Sequence, residues 1–157
     1  MKSLPILALI GTVMFSTAAL AQTASDTNVE ILKQKIKADK KMIISQNMDL
    51  TNTEAEQFWP IYDSFQKDLE GINQRIVHTI KDYANTVNKG PIPADAAKKL
   101  VNEALAEEED EVKMKRAYFE KLQNVMPTTK VARYIQMETK IRSLLRREMA
   151  EQIPVIY

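Results

Sequence analysis

An apolar stripe between Thr51 and Val87 limits this chain more than any other feature. Phe58, Tyr62, Phe65, Leu69, Ile72, Ile76, Ile80, Tyr83 and Val87 follow one another in steps of three and four residues. That is the period of one helix face, close to a heptad with one four-residue stutter, and no strand produces it. Thr51 and Glu54 have capping-box spacing, so each side chain can satisfy a backbone N–H of the first turn. A helix of about 36 residues rises ~54 Å. A compact globule of this chain's size has a radius of gyration of ~14 Å, so such a helix would protrude from it. The body is therefore expected to be elongated, bent or paired with a second copy.

The start of the chain reads as a leader. Lys2 gives a positive beginning, an apolar run follows to Phe15, and Ala19-Leu20-Ala21 suits a cut after Ala21. Residues 1–21 are thus expected to be a cleaved signal peptide, with the mature chain exported to the periplasm and not held in the membrane. The chain has no cysteine, which excludes a lipidated cysteine anchor and any disulfide. Its 22 basic and 21 acidic residues come into balance when Lys2 leaves with the leader. Balanced charge and export argue against nucleic acid as a partner.

Residues 22–27 read as a flexible tail and residues 28–157 as one helical domain. A first helix is expected over about Asn28–Asn47, with Val29, Leu32, Ile36 and Ile43 inward. It is basic: Lys33, Lys35, Lys37, Lys40 and Lys41 stand against Glu30 and Asp39. In the second helix Pro60 removes an intrahelical hydrogen bond, so a kink is expected near Trp59. Gly71 suggests a close helix approach. Asn88-Lys89-Gly90-Pro91 ends this helix, with Gly90 in a left-handed conformation.

The short link makes the third helix antiparallel to the second. It is expected over Pro93–Val125, with Ala97, Val101, Ala104, Leu105, Val112, Phe119, Leu122 and Met126 inward. The run Glu107-Glu108-Glu109-Asp110-Glu111 reads as a solvated, salt-bridged face. The fourth helix spans about Pro127–Gln152, with Val131, Tyr134 or Ile135, Ile141, Leu144 or Leu145, and Met149 inward. Val155-Ile156-Tyr157 is expected to fold back onto the helices. The fold class is all-α: an elongated four-helix antiparallel hairpin-type body.

Leu50-Thr51-Asn52-Thr53-Glu54, followed by Phe58, resembles the Leu-Thr-x-x-Gln motif of the Spy/CpxP-like family of periplasmic helical proteins. Met126-Pro127-Thr128-Thr129-Lys130, followed by Tyr134, occupies the place of that family's second, degenerate copy. Phe58-Trp59-Pro60-Ile61-Tyr62 is similar to a subgroup of short secreted proteins in the same set. Glu54 stands for the usual glutamine, and Pro127 and Lys130 depart from the second copy. The resemblance implies a hooked helical hairpin that dimerises into a curved cradle. It implies a role as an ATP-independent chaperone, an inhibitor of an envelope-stress sensor, or a metal-responsive accessory. What carries over at Leu50, Thr51, Glu54, Phe58, Trp59 and Pro60 is structural.

Without cysteine, with one histidine and with no glycine-rich phosphate loop, the chain offers no convergent catalytic set, and neither an enzyme nor a cofactor is expected. His78 and Asp82 are i,i+4 and form a two-ligand metal candidate, too few for a tight site. The methionines at 42, 48, 114, 126, 137 and 149 are scattered and read as adaptable apolar surface or core filler. The reading that fits best is a surface for unfolded or partly folded envelope proteins. On it Lys33, Lys37, Lys40, Arg142 and Arg146 attract acidic segments, while Ile36, Met42 and Ile43 meet exposed apolar groups. The competing reading is docking of the same surface on a sensor kinase domain or an anti-sigma factor.

Overall fold

A computed structural model describes residues 37–153. All regular structure among them is helical, so the chain is all-α. The elements are α1 (residues 37–48), α2 (Asn52–Val87), α3 (Ala94–Gln123) and α4 (Thr128–Gln152). The chain divides into two units at Ile43/Ile44. Of the first, only 37–43 is described, and it is helical. The expected leader, the tail over residues 22–27, Lys33, Ile36 and the terminal Val155-Ile156-Tyr157 lie outside the described residues.

Local chemistry sets the element ends of the second unit. The capping box is complete: the Glu54 N–H donates to Thr51 Oγ1 at 3.3 Å, and the Thr51 N–H donates to Glu54 Oε2 at 2.8 Å. Asp49 turns the chain between α1 and α2 at a φ of 49°, in the left-handed region. Lys130 Nζ donates to the Asp49 carbonyl at 2.7 Å, filling an acceptor exposed where α1 ends. Pro60 lies inside α2, which continues through it. Gly90 adopts a φ of 124° beyond the end of α2, a conformation closed to most other residues. Pro93 and Pro127 stand at the N-cap positions of α3 and α4, where a missing N–H removes no helical bond.

Cross-links give the helix directions. From α2 to α3 they run Asp68–Tyr118, Arg75–Asp110, Thr79–Glu107 and Asp82–Lys99, one number rising as the other falls. These two helices are therefore antiparallel. From α2 to α4 they run Glu54–Lys130, Gln66–Glu138 and Asn73–Arg142, both rising, so α4 is parallel to α2.

The apolar core gathers at one end of this arrangement. Ile44, Met48, Phe58, Tyr62, Phe65, Leu69, Tyr118, Leu122, Met126, Val131 and Tyr134 form one buried cluster. Aromatic rings meet edge to face within it: Phe58–Tyr134 and Phe65–Tyr118 have centroids 5.2 Å apart in both cases. Trp59 packs against this core, edge-on to Phe58 and Tyr62. Toward the other end of α2, Ile76, Ile80, Tyr83 and Val87 are only partly buried.

Three expectations about which face turns inward, and one about Gly71, are corrected. In α1, Ile44 and Met48 are buried while Ile43 is 44% exposed, one residue out of the expected phase. In α3, the inward residues are Leu100, Glu107, Glu111, Tyr118 and Leu122. The aliphatic side chains expected inside, Val101, Leu105 and Val112, are more than half exposed. In α4, Leu144 and Leu145 are exposed, and Glu138 and Arg142 point inward instead. A Cβ added to Gly71 would meet nothing within 4 Å, so that glycine marks no close helix approach.

Two stability measurements follow. Phe65→Ala should cost about 3–5 kcal/mol in urea unfolding, whereas Val112→Ala should stay within about 0.5 kcal/mol. Similar costs at both positions would restore the aliphatic stripe of α3 to the core. Gly71→Ala should stabilise by roughly 0.5–1 kcal/mol, because it removes backbone entropy from an open helix interior. A destabilised Gly71→Ala protein would show a neighbour that the structure does not.

Candidate functional site

Polar groups converge where the apolar core gives out. Leu100, Glu107, Glu111, Tyr118 and Leu122 lie seven, four, seven and four residues apart, a single helical face. That geometry carries Glu107 and Glu111 inward with the apolar residues. Val131, Tyr134, Glu138 and Arg142 do the same on α4.

Glu111 is the hub. Its Oε2 accepts from Arg142 Nε at 3.0 Å, Arg142 Nη2 at 2.8 Å and Arg146 Nη2 at 3.0 Å. Its Oε1 lies 2.6 Å from Lys115 Nζ. Arg142 reaches on to α2, where Nη1 donates to Asn73 Oδ1 at 2.5 Å. Two flanking hydrogen bonds join the same three helices: Thr79 Oγ1 to Glu107 Oε1, and Gln66 Nε2 to Glu138 Oε1, both at 2.8 Å.

Burial pushes the Glu111 carboxyl up. The hydrogen bonds and charges of Lys115 and Arg142 outweigh it and hold the group at about 2. The same principle acts elsewhere in the bundle. Burial, then the hydrogen bond to Asp68, pushes the Tyr118 hydroxyl up to about 12. Burial and the charge of Glu138 push Tyr134 up as well, and its hydroxyl is enclosed without a well-formed hydrogen bond among the described residues.

Two expected readings change here. Arg142 is 8% exposed and bound to Glu111 and Asn73, so it is not a surface cation for acidic segments. The run from Glu107 to Glu111 is not one solvated face, because its first and last members are buried. Arg146 keeps 40% of its side chain exposed while pairing with Glu108 and Glu111.

The remaining candidates stand apart from this cluster. Lys37 and Lys41 are exposed, Lys40 is half-buried, and Met42 and Ile43 are 52% and 44% exposed. His78 Nδ1 lies 3.5 Å from Asp82 Oδ2, with the ring 76% exposed. Lys99 approaches the same carboxylate oxygen at 3.7 Å, so a cation already serves it. Among the described residues no group of three or more histidine, cysteine or acidic side chains is placed to hold a metal. His78 lines a shallow groove of about 420 Å³ on the α2–α3 seam with Arg75, Glu103 and Asp110. No described helix is long and apolar enough to cross a membrane.

The motif residues form a joint. Glu54 caps α2 and its Oε2 also accepts from Lys130 Nζ at 2.7 Å. That hydrogen bond, with the Thr51 backbone, lowers the carboxyl's pKa. Glu54 and Lys130 are the fifth residues of the stretches Leu50–Glu54 and Met126–Lys130, and their ion pair joins the two. Leu50 packs against the core beside them, and Phe58 is fully buried.

The depressed carboxyl of Glu111 contributes stability that is complete above about pH 4.5 and is lost as pH falls toward about 2. Thermal melts across this window should show wild type losing more stability than Glu111→Gln. At pH 7 the substitution should cost about 3–5 kcal/mol, because it leaves buried Arg142 without its counter-charge. Parallel acid profiles for the two proteins would place Glu111 outside the linkage.

No family model, no curated protein and no solved structure matches this chain.

Proposed function

We propose that the chain is a periplasmic, non-catalytic binding protein, exported by a leader cleaved after Ala21, that holds unfolded or partly folded envelope proteins without ATP during stress. One observation carries this reading: large apolar side chains stay exposed among charged ones on helix surfaces. On α1, Met42 and Ile43 are 52% and 44% exposed in the same short stretch as Lys37, Lys40 and Lys41. In the second unit, Val77, Leu144 and Leu145 are 47%, 69% and 42% exposed.

Isolated exposed aliphatics are ordinary on protein surfaces. Here they combine a flexible methionine, branched aliphatics and a local excess of cations. Methionine adapts to irregular apolar contacts. Lysines draw acidic segments over a Debye length of about 8–10 Å at ordinary salt. Weak contacts of both kinds release a client without a motor. Inside the bundle Glu111 is engaged by Arg142, Arg146 and Lys115, and Arg142 by Asn73, an arrangement that favours a structural use of these charges and a binding use of the surface.

The test is the aggregation of a chemically denatured acidic client followed by light scattering. Substoichiometric wild-type protein should slow it. The combined substitution Lys37→Glu with Lys40→Glu, or Met42→Ser with Ile43→Ser, should weaken protection about tenfold, or ~1.4 kcal/mol. Higher salt should weaken it as well. No protection by wild type, or equal protection by every variant, would end the proposal. So would recovery of one stable stoichiometric partner from envelope extract, which would indicate docking on a sensor instead.

A further inference from the structure

We propose that Val155-Ile156-Tyr157 turns back along α4 and seats its aliphatic side chains in a crevice between α2, α3 and α4, so that the chain carries its own occupant for an apolar binding site. The crevice holds about 240 Å³. Ile76 and Ile80 of α2, Ala104 of α3, and Met149 and Ile153 of α4 give it apolar walls. Ile76, Ile80, Met149 and Ile153 are each only partly buried, and none belongs to the buried aromatic cluster. A cavity of ~150 Å³ with walls of this kind admits a benzene ring, so this one has room for branched aliphatic groups.

The point of departure selects the occupant. Ile153 lines the crevice and is the last described residue, with residues 154–157 following it. Its backbone has already left the helix, at φ −101° and ψ 113°. Pro154 keeps it out, because proline holds the residue before it extended and cannot continue the hydrogen bonding of α4. The other α4 residues of the crevice, Arg146, Met149 and Ala150, all precede Ile153. A segment that enters from this end therefore doubles back along α4. From Arg146 to Ile153 the helix rises about 10.5 Å. Three extended residues after Pro154 reach ~10 Å, so the tail is as long as the site.

Chemistry agrees with reach. The polar groups of the crevice are already joined: Thr79 Oγ1 donates to Glu107, and Arg146 holds Glu108 and Glu111. They call for no charge from an occupant, and the side chains of Val155, Ile156 and Tyr157 bring none. A segment with charged side chains would have to give up water for apolar walls. A short tether holds the tail near the site at an effective concentration on the order of millimolar, so a free apolar segment meets a crevice already taken. Neither Met42 and Ile43 nor Leu144 and Leu145 line this crevice. The seat is independent of client binding: a chain that seats its tail and fails to protect a client loses only that other role.

Thiol reactivity in the full chain tests this. The chain lacks cysteine, so Ile156→Cys introduces a single thiol. Its reaction with dithiobis-nitrobenzoate should be at least about tenfold slower than that of Leu144→Cys, whose position is 69% exposed. Adding Ala104→Trp fills the crevice with a neutral indole and should bring the Ile156→Cys rate close to the Leu144→Cys rate. Adding Val101→Trp, on the outward side of α3, should leave the thiol protected. Ala104 and Val101 are both exposed, so the fold is kept, as circular dichroism would show. An Ile156→Cys thiol as reactive as Leu144→Cys would overturn the seat. Protection that survives Ala104→Trp, or is lost equally with Val101→Trp, would overturn it as well, by placing the tail elsewhere.

Discussion

The guanidinium of Arg142 is held inside a helical bundle, and most of what is specific in this structure depends on how it is satisfied. Removing an ion from water costs several kcal/mol even after relaxation. Glu111 supplies the counter-charge and Asn73 takes a further donor, so α2, α3 and α4 meet in one network. Sliding one helix by a turn moves its groups about 5.4 Å. That shift would strand a charge in a dry place. An apolar core tolerates repacking more readily, since hydrophobic groups of similar volume exchange at modest cost. The ionic layer therefore sets the register that the aromatic cluster alone would leave loose.

This division of labour runs along the bundle. At one end, rings from α2, α3 and α4 interlock edge to face, and the Glu54–Lys130 pair joins the starts of α2 and α4. Toward the far end of α2, Ile76, Ile80 and Tyr83 are only partly covered. Local opening should be cheapest there, since opening free energy follows buried apolar contact. Val77, Leu144 and Leu145, all exposed, lie beyond the aromatic cluster along α2 and α4. The part of the bundle that is least locked also presents aliphatic groups to water.

The helices themselves were legible because their signals are local. Thr51 with Glu54, Gly90, Pro93 and Pro127 each act within one turn of chain, and the element ends follow them closely. The face turned inward depends on neighbours. For α2 the apolar stripe gave it, because Phe58, Tyr62, Phe65, Leu69 and Ile72 are large and in phase. For α3 an apolar reading found Phe119, Leu122 and Met126 at the core but chose the wrong side before them: Val101, Leu105 and Val112 face outward. The true signal was the 7-4-7-4 spacing from Leu100 to Leu122, visible only if Glu107 and Glu111 are allowed inside. Charged residues are rarely buried without partners, and those partners, Arg142 and Thr79, are more than twenty residues away in sequence. Arg142 was picked out for its charge, and its role as a buried counter-ion could not be read without Glu111.

Over residues 100–112, α3 thus carries carboxylates on its inner side and aliphatics on its outer side, the reverse of the usual surface helix. Each half of that inversion has a cost in water. The inner half is offset by the Arg142, Arg146 and Lys115 contacts. No contact of that kind acts on Leu105 and Val112, so the outer half is offset only when apolar area is covered at ~25 cal/mol per Å². The charges beside those aliphatics change sign at Val112, and the acidic ones tie α3 to its neighbours: Asp110 to Arg75 on α2, and Glu108 and Glu111 to Arg146 and Arg142 on α4.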